Sequence, residues 1–196
     1  MTSPEKPTPA CKMLLLGVTG AIGAASVPHF LYGLRQIIAP EIVILLSRTA
    51  ATLVSPYALS VLSGSPVFTS VTDKADGVSV PHIELPRRAG LFAILPATAN
   101  IMAKCAHGVC DDLISTSVLA TPEDVPVVFV PSMNETMWDK KLMRENVVRL
   151  RDAGYYVIDP VAGYEVADMK TVRGAMPPIE QVCIRLLEIR SSHGLK

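Results

Sequence analysis

Short apolar runs recur along this 196-residue chain, each separated from the next by a segment of helical length. Met13–Val18, Glu41–Leu46, Leu91–Leu95, Val127–Val130 and Tyr155–Ile158 are rich in β-branched and aliphatic residues. Strands that are apolar throughout are covered on both faces, and strands that alternate with helices run parallel. The pattern predicts an α/β fold, a Rossmann-like or flavodoxin-like doubly wound parallel sheet, in a single domain over residues 13–190. Residues 1–12, polar and Pro-rich at the start, and residues 191–196 are expected to be tails.

The connecting segments carry their own signals. Ile22, Val27, Leu31, Leu34 and Ile38 recur at the spacing of one helical face. Ser55-Pro56 predicts an N-cap followed by Pro at the first helical position, with a helix to Leu62. Asn134 to Ala153 mixes apolar residues (Met137, Leu142, Val147, Leu150) with charge, and Gly154 ends it where a C′ glycine belongs. Gly64 to Pro81 reads as a loop with a short strand at Val67 to Thr69. Val161 to Pro178 reads as irregular, ahead of a final helix over Ile179 to Ile189.

Composition excludes several function classes. The formal net charge is zero, and 18% of residues are charged while 49% are apolar. No basic stripe offers nucleic acid an electrostatic grip, so no nucleic-acid partner is expected. No apolar stretch reaches the ~20 residues that span a bilayer, and the N-terminus lacks a signal-peptide core. A cytoplasmic protein with no membrane partner is expected, and the low charge fits a subunit that buries surface in a homo-oligomer. The four cysteines (Cys11, Cys105, Cys110, Cys183) have neither metal-site nor Cys-x-x-Cys spacing and read as reduced thiols; no metal is expected.

Chemistry-bearing residues collect where strands end, the edge at which open α/β sheets bind ligands. The first strand runs into Gly17-Val18-Thr19-Gly20-Ala21-Ile22-Gly23. Such glycines allow close backbone approach, and the following helix N-terminus favours an anion. The spacing is not G-x-G-x-x-G, so a tight turn without a ligand stays open. A nicotinamide site expects an acid near the end of the second strand. Here stand Ser47-Arg48-Thr49, hydroxyls and a cation that suit a terminal phosphate and favour a flavin nucleotide. The middle strand ends in Pro96-Ala97-Thr98-Ala99-Asn100, small residues that admit a flat ring; Asn100 can offer a donor and an acceptor, or serve as a helix N-cap. A fourth strand runs into Pro131-Ser132-Met133-Asn134-Glu135-Thr136-Met137-Trp138, with the only Trp of the chain.

This last run resembles the Pro-x-Met-Asn-x-x-Met-Trp signature of the flavin-dependent cysteine decarboxylases, the homo-oligomeric flavoproteins that serve lantibiotic and coenzyme A biosynthesis. The Pro-Ala-Thr-Ala-Asn segment, the downstream Cys110-Asp111-Asp112-Leu113 and His82-Ile83-Glu84-Leu85 resemble further family motifs in the family's order, over nearly all of residues 13 to 189. The resemblance implies a flavin, FMN or FAD, held by Gly20, Ala21, Ile22, Ser47, Thr49, Thr98, Ala99, Asn100 and Ser132. It also implies trimers, or dodecamers built from trimers. By itself a lone His among apolar neighbours reads as structural; the resemblance makes His82 the base that takes the substrate thiol proton while the flavin accepts hydride from the β-carbon. Asn134 is implied as the donor to the substrate carboxylate. A neutral amide suits that task, since a cation would hold the carboxylate too tightly for its charge to leave as CO2. Met133 and Met137 are expected to wall the substrate.

Two branches of the family differ in a cysteine that helps reduce the enethiol in coenzyme A enzymes. Counting back from Gly174-Ala175-Met176 puts Asp168 at that position, and a carboxylate cannot do a thiol's redox work. Cys183 falls too far along to replace it. Met176 and Pro177 lie in a segment that resembles the peptide-closing element of the lantibiotic branch, and that also reads simply as a loop into the last helix. The expected substrate is therefore a precursor peptide ending in Cys, with an enethiol as product. A phosphopantothenoylcysteine decarboxylase and a non-enzymatic flavin-binding regulatory subunit are the alternatives. A flavin prenyltransferase shares the fold but not the His82 and Asn134 motifs.

Overall fold

Strand β1 (Met13–Val18) is buried along its whole length, so both of its faces must meet apolar partners. A computed structural model, which describes residues 9–165 and 170–193, shows how. β1 pairs in parallel with β2 (Glu41–Leu46) on one side and β4 (Leu91–Ala97) on the other. β3 (Val67–Phe68), β5 (Val127–Pro131) and β6 (Tyr156–Val157) complete a six-stranded sheet of order β3-β2-β1-β4-β5-β6, every pair parallel. This order reverses direction between β1 and β4. The crevice outside their carboxyl ends is thus the topological switch point, where such sheets take ligands.

Alternate residues of each strand feed two separate cores. Leu14, Leu16, Ile42, Ile44 and Val128 face α1 (Val27–Ile37), α3 (Pro56–Ser63) and α9 (Ile179–Ser192). Leu15, Val43, Phe92, Ile94 and Phe129 face α4 (Pro81–Arg88), α5 (Ala99–Ala106), α6 (Leu113–Leu119) and α8 (Lys141–Asp152). A fully buried Leu, Ile or Phe stabilises the fold by about 1.5–3 kcal/mol over an exposed one. Such burial, repeated on both faces, specifies the layers.

Several elements depart from the sequence reading. The Asn134–Ala153 segment is not one helix: α7 (Glu135–Trp138) stops, and α8 begins at Lys141. Trp138 is fully buried beneath Arg144, whose guanidinium lies 4.7 Å from the ring centroid, and this docking turns the chain. The stretch expected as irregular contains an antiparallel hairpin, β7 (Val161–Glu165) and β8 (Lys170–Ala175). His82, given no secondary structure by the sequence, lies on the first turn of α4, which packs against α6. A short α2 (Ala50–Leu53) precedes the expected Ser55 cap, whose side chain accepts the Ala58 N–H. Cys11 is tied to the domain by its N–H to the Ile38 carbonyl, 3.1 Å. Among the described residues no helix is long and apolar enough to cross a membrane.

Candidate functional site

The sheet ladder continues into the loops at the switch point. Thr19 N–H reaches the Pro96 carbonyl (3.3 Å), Ser47 N–H the Val18 carbonyl (3.0 Å) and Ser132 N–H the Ala97 carbonyl (3.1 Å). These bonds draw the ends of four strands to one edge. Thr19, 3% exposed, ties them further. Its hydroxyl donates to the Pro96 carbonyl at 2.7 Å and accepts the Thr98 N–H at 3.0 Å. Thr98 in turn caps α5, its hydroxyl accepting the Ile101 N–H. The cap is therefore Thr98 and not Asn100, which sits exposed within the first turn of α5.

Two glycines are required by space. A Cβ on Gly20 would lie 2.5 Å from the Thr49 Cβ, and one on Gly23 would lie 2.7 Å from the Met176 methyl and 3.2 Å from the Ser132 hydroxyl. The glycine turn is the point where the loops after β1, β2 and β5 and the segment after β8 converge.

Two cavities meet there, both lined by Gly20 and Thr98. The first, about 560 Å³, has Ser47, Thr49 and Asn100 in its wall, with Arg48 beside them. Lys104, Asp111 and Asp112 close its far side, and sequence reasoning did not assign them to the site. Lys104 Nζ contacts Asp111 at 2.7 Å and Asp112 at 2.8 Å. The hydrogen bonds it donates to Asp111 and then Asp112 hold the Lys104 ammonium above its ordinary pKa. Burial would push the Asp112 carboxyl up, but Lys104 and the Ser115 N–H that Asp112 caps outweigh it and hold the carboxyl below its ordinary value.

The second cavity, about 670 Å³, is lined by Ala21, Ile22, Ala99 and Ser132 on one side. Met133, Asn134 and Met137 form another wall, and Met176 and Pro177 its roof. Asn134 Oδ1 caps α7 by accepting the Thr136 N–H at 2.7 Å. That cap fixes which end of the amide is oxygen and leaves the N–H₂ as the donor for a ligand. The hairpin is fastened over this wall: Met133 N–H donates to the Gly174 carbonyl, and Arg173 N–H to Glu135 Oε1, each at 3.1 Å. Asp168 lies outside the described residues.

His82 lines neither cavity. It is half-buried, and its Nδ1 is buried with no hydrogen-bond partner among the described residues. The cysteines stand apart from the chemistry. Burial pushes the Cys105 thiol up to about 12 and, with help from Glu180, the Cys183 thiol up to about 11. Cys183 is a core residue of α9. Among the described residues no group of three or more His, Cys, Asp or Glu side chains is placed to hold a metal ion.

Comparison with known proteins decides the family. The flavoprotein family profile matches residues 2–189. The chain belongs to the flavoprotein family. Within it, the similarity is to flavin-dependent cysteine decarboxylases. The probable phosphopantothenoylcysteine decarboxylase of Streptococcus mutans serotype c is 34% identical over 149 residues, 76% of this chain and 83% of that protein. Mersacidin decarboxylase of Bacillus sp. strain HIL-Y85/54728 is 33% identical over 171 residues, 85% of each. The crystal structure of the FMN-dependent cysteine decarboxylase SpaF superposes with a TM-score of 0.77 at 31% identity, covering 93% of this chain and 98% of that one. Against bifunctional coenzyme A biosynthesis proteins such as that of Vibrio vulnificus, the chain spans 38% of their length.

The cofactor of this flavoprotein is a flavin, and the crevice fits one. The bare Gly20 and Gly23 backbone leaves room for close approach, while Ser47, Arg48 and Thr49 supply hydroxyls and a cation for a phosphate. The small Ala99 and Ser132 offer a flat ring a neighbouring wall.

Proposed function

We propose that this flavoprotein is an enzyme that oxidatively decarboxylates the C-terminal cysteine of a precursor peptide, releasing CO2 and leaving an enethiol. The observation that carries this reading is the setting of Asn134. Its amide N–H₂ is presented, by a cap that fixes its orientation, to a cavity bounded by the candidate flavin wall and roofed by Met176 and Pro177. Gly20, Ala21, Ile22, Ser47, Thr49, Thr98, Ala99, Asn100 and Ser132 hold the flavin, FMN or FAD. When bound, it supplies the two-electron acceptor. Asn134 holds the substrate carboxylate without a formal charge that would oppose its departure. Met133, Met137, Met176 and Pro177 exclude water around the thiol. His82 takes the thiol proton, a task for which a positioned base contributes ~10²–10⁴ in rate.

Because His82 lines neither cavity of its own chain, the reading includes a homo-oligomer, a trimer or trimers grouped in a dodecamer. In it, α4 of another copy carries His82 to the second cavity. Val80, the N-cap of α4 and 42% exposed, is apolar surface for such a contact.

The peptide branch is favoured by the residue at the position of the coenzyme A enzymes' cysteine. The gap-free count back from Gly174 puts Asp168 there, and Cys183 is buried in the core. The second reading, decarboxylation of phosphopantothenoylcysteine, is supported by the equal similarity to the Streptococcus mutans relative. Mass spectrometry after incubation with a pool of Cys-terminated peptides, beside phosphopantothenoylcysteine, separates them. Loss of CO2 and two hydrogens from peptides is the expected result. Turnover of phosphopantothenoylcysteine alone selects the second reading, and turnover of neither, with flavin bound, points to a regulatory subunit.

A further inference from the structure

No side chain among the described residues orients the His82 ring through Nδ1. The turn that carries it, in contrast, is closed by hydrogen bonds of its neighbours, and by an unusual route. Helix α4 starts with Val80 at the N-cap and Pro81 at the first helical position. Val80 brings no side-chain acceptor and Pro81 no N–H, so neither of the ordinary devices closes this turn. The closure comes from within the helix. Glu84 Oε1 accepts the Ser79 N–H at 3.0 Å and the Val80 N–H at 2.6 Å. The Ile83 and Glu84 N–H groups return to the Val80 carbonyl at 3.0 and 2.9 Å. This is like the reach-back half of a capping box, but made from N4 rather than N3 and with two donors on one oxygen. The preceding chain turns at Asp76 and Gly77, both at positive φ, 49° and 74°.

We propose that Glu84 is a positioning residue for the reaction: by closing the turn that bears His82, it sets where the imidazole stands. The inference rests on the reading of His82 as the base. It does not require Glu84 to touch the substrate or its charge to act on the proton. Its basis is the single oxygen that holds both N–H groups ahead of the helix.

The test uses the flavin-loaded protein and a Cys-terminated peptide from the pool that it decarboxylates. Glu84→Gln keeps an Oε1 that can accept both N–H groups, and its kcat should stay within about threefold of wild type, since a neutral oxygen still forms both bonds. Glu84→Ala removes the anchor; kcat should fall about a hundredfold with KM and flavin content unchanged, the scale expected when a reacting group is misplaced by an ångström. Glu84→Asp, too short to reach, should fall in the same direction if the Ala variant does not fold. Hydrogen exchange at the Ser79 and Val80 amides should quicken in the Ala and Asp variants but not in Gln. Unchanged kcat in a variant whose amides exchange faster overturns the inference, and so does a Gln variant as slow as Ala. His82→Asn is the control for the underlying reading: if that variant turns over at the wild-type rate, the assignment of the base fails, whatever Glu84 does.

Discussion

Thr19 joins two loops through one buried hydroxyl, serving as donor to Pro96 and acceptor from Thr98. Thr19→Val keeps the shape but leaves the Thr98 N–H without its acceptor and the Pro96 carbonyl with only the Thr19 N–H. It should cost about 1–3 kcal/mol, the penalty for buried polar groups left unpaired, and weaken flavin retention. Thermal unfolding with flavin quantified on the purified variant checks this; wild-type values of both would make the bridge idle. Much of the candidate site was legible at this scale. Ser47, Thr49, Thr98 and Ser132 could be picked out because strand ends in an open sheet point at ligands. Thr19 could not, since its partners are 77 and 79 residues away. Asn100 stayed open as a cap because two capping types stand two residues apart; Thr98 takes the role.

At the scale of elements, the hairpin β7–β8 and the junction of α5 with α6 make separate demands. Gly174 has φ 144°, and a Cβ there would collide with the Met133 carbonyl oxygen. Gly174→Ala should therefore lift the roof, raising KM for a peptide at least tenfold while the flavin stays bound, a penalty in the range of 1–3 kcal/mol for a strained backbone position. Steady-state kinetics beside flavin absorbance measure it. At the second junction the folded Asp112 carboxyl titrates below its ordinary value. Its stabilisation is thus fully present above the unfolded pKa, ~3.9, and lost as pH falls through the lower folded one. Asp112→Asn should be less stable than wild type at pH 6, with the difference shrinking below about pH 4; chemical denaturation across that range shows whether it does. Lys104, raised by the same contacts, works in the opposite sense: its share persists below ~10.4 and disappears as pH climbs through its folded value. Apolar periodicity foresaw the strands of the sheet and helices α1, α3 and α9, but neither α4 nor this hairpin, whose strands lack alternation. Nor did it reveal the break at Asp139-Lys140, which depends on Trp138 docking beneath Arg144.

For the whole molecule, alternating apolar runs were sufficient to foresee a doubly wound parallel sheet. They were silent on strand order, because Rossmann-like and flavodoxin-like sheets present the same succession of elements. The observed order puts the switch point between β1 and β4 and brings the candidate flavin residues to one crevice. It leaves His82 on a helix outside that crevice, the feature that calls for a second copy. His82→Asn and Asn134→Ala should each be inactive alone. Mixed under conditions of subunit exchange, they should recover part of the activity, since one copy then provides the base and another the amide. Sedimentation should find assemblies larger than one chain, and a mixture that stays inactive despite exchange would place both residues in one subunit.

The close approach of Met176 to Gly23 joins the proposed flavin site to the segment over the proposed peptide site. One stone of an arch belongs to the floor that seats the cofactor, the other to the span over the peptide, and no side chain stands between them. A flavin that settles the floor would steady the span, and a peptide held beneath the span would steady the floor by the same free energy, because linkage between two ligands is reciprocal. A chain built this way would take the proposed peptide more readily once the flavin is in place.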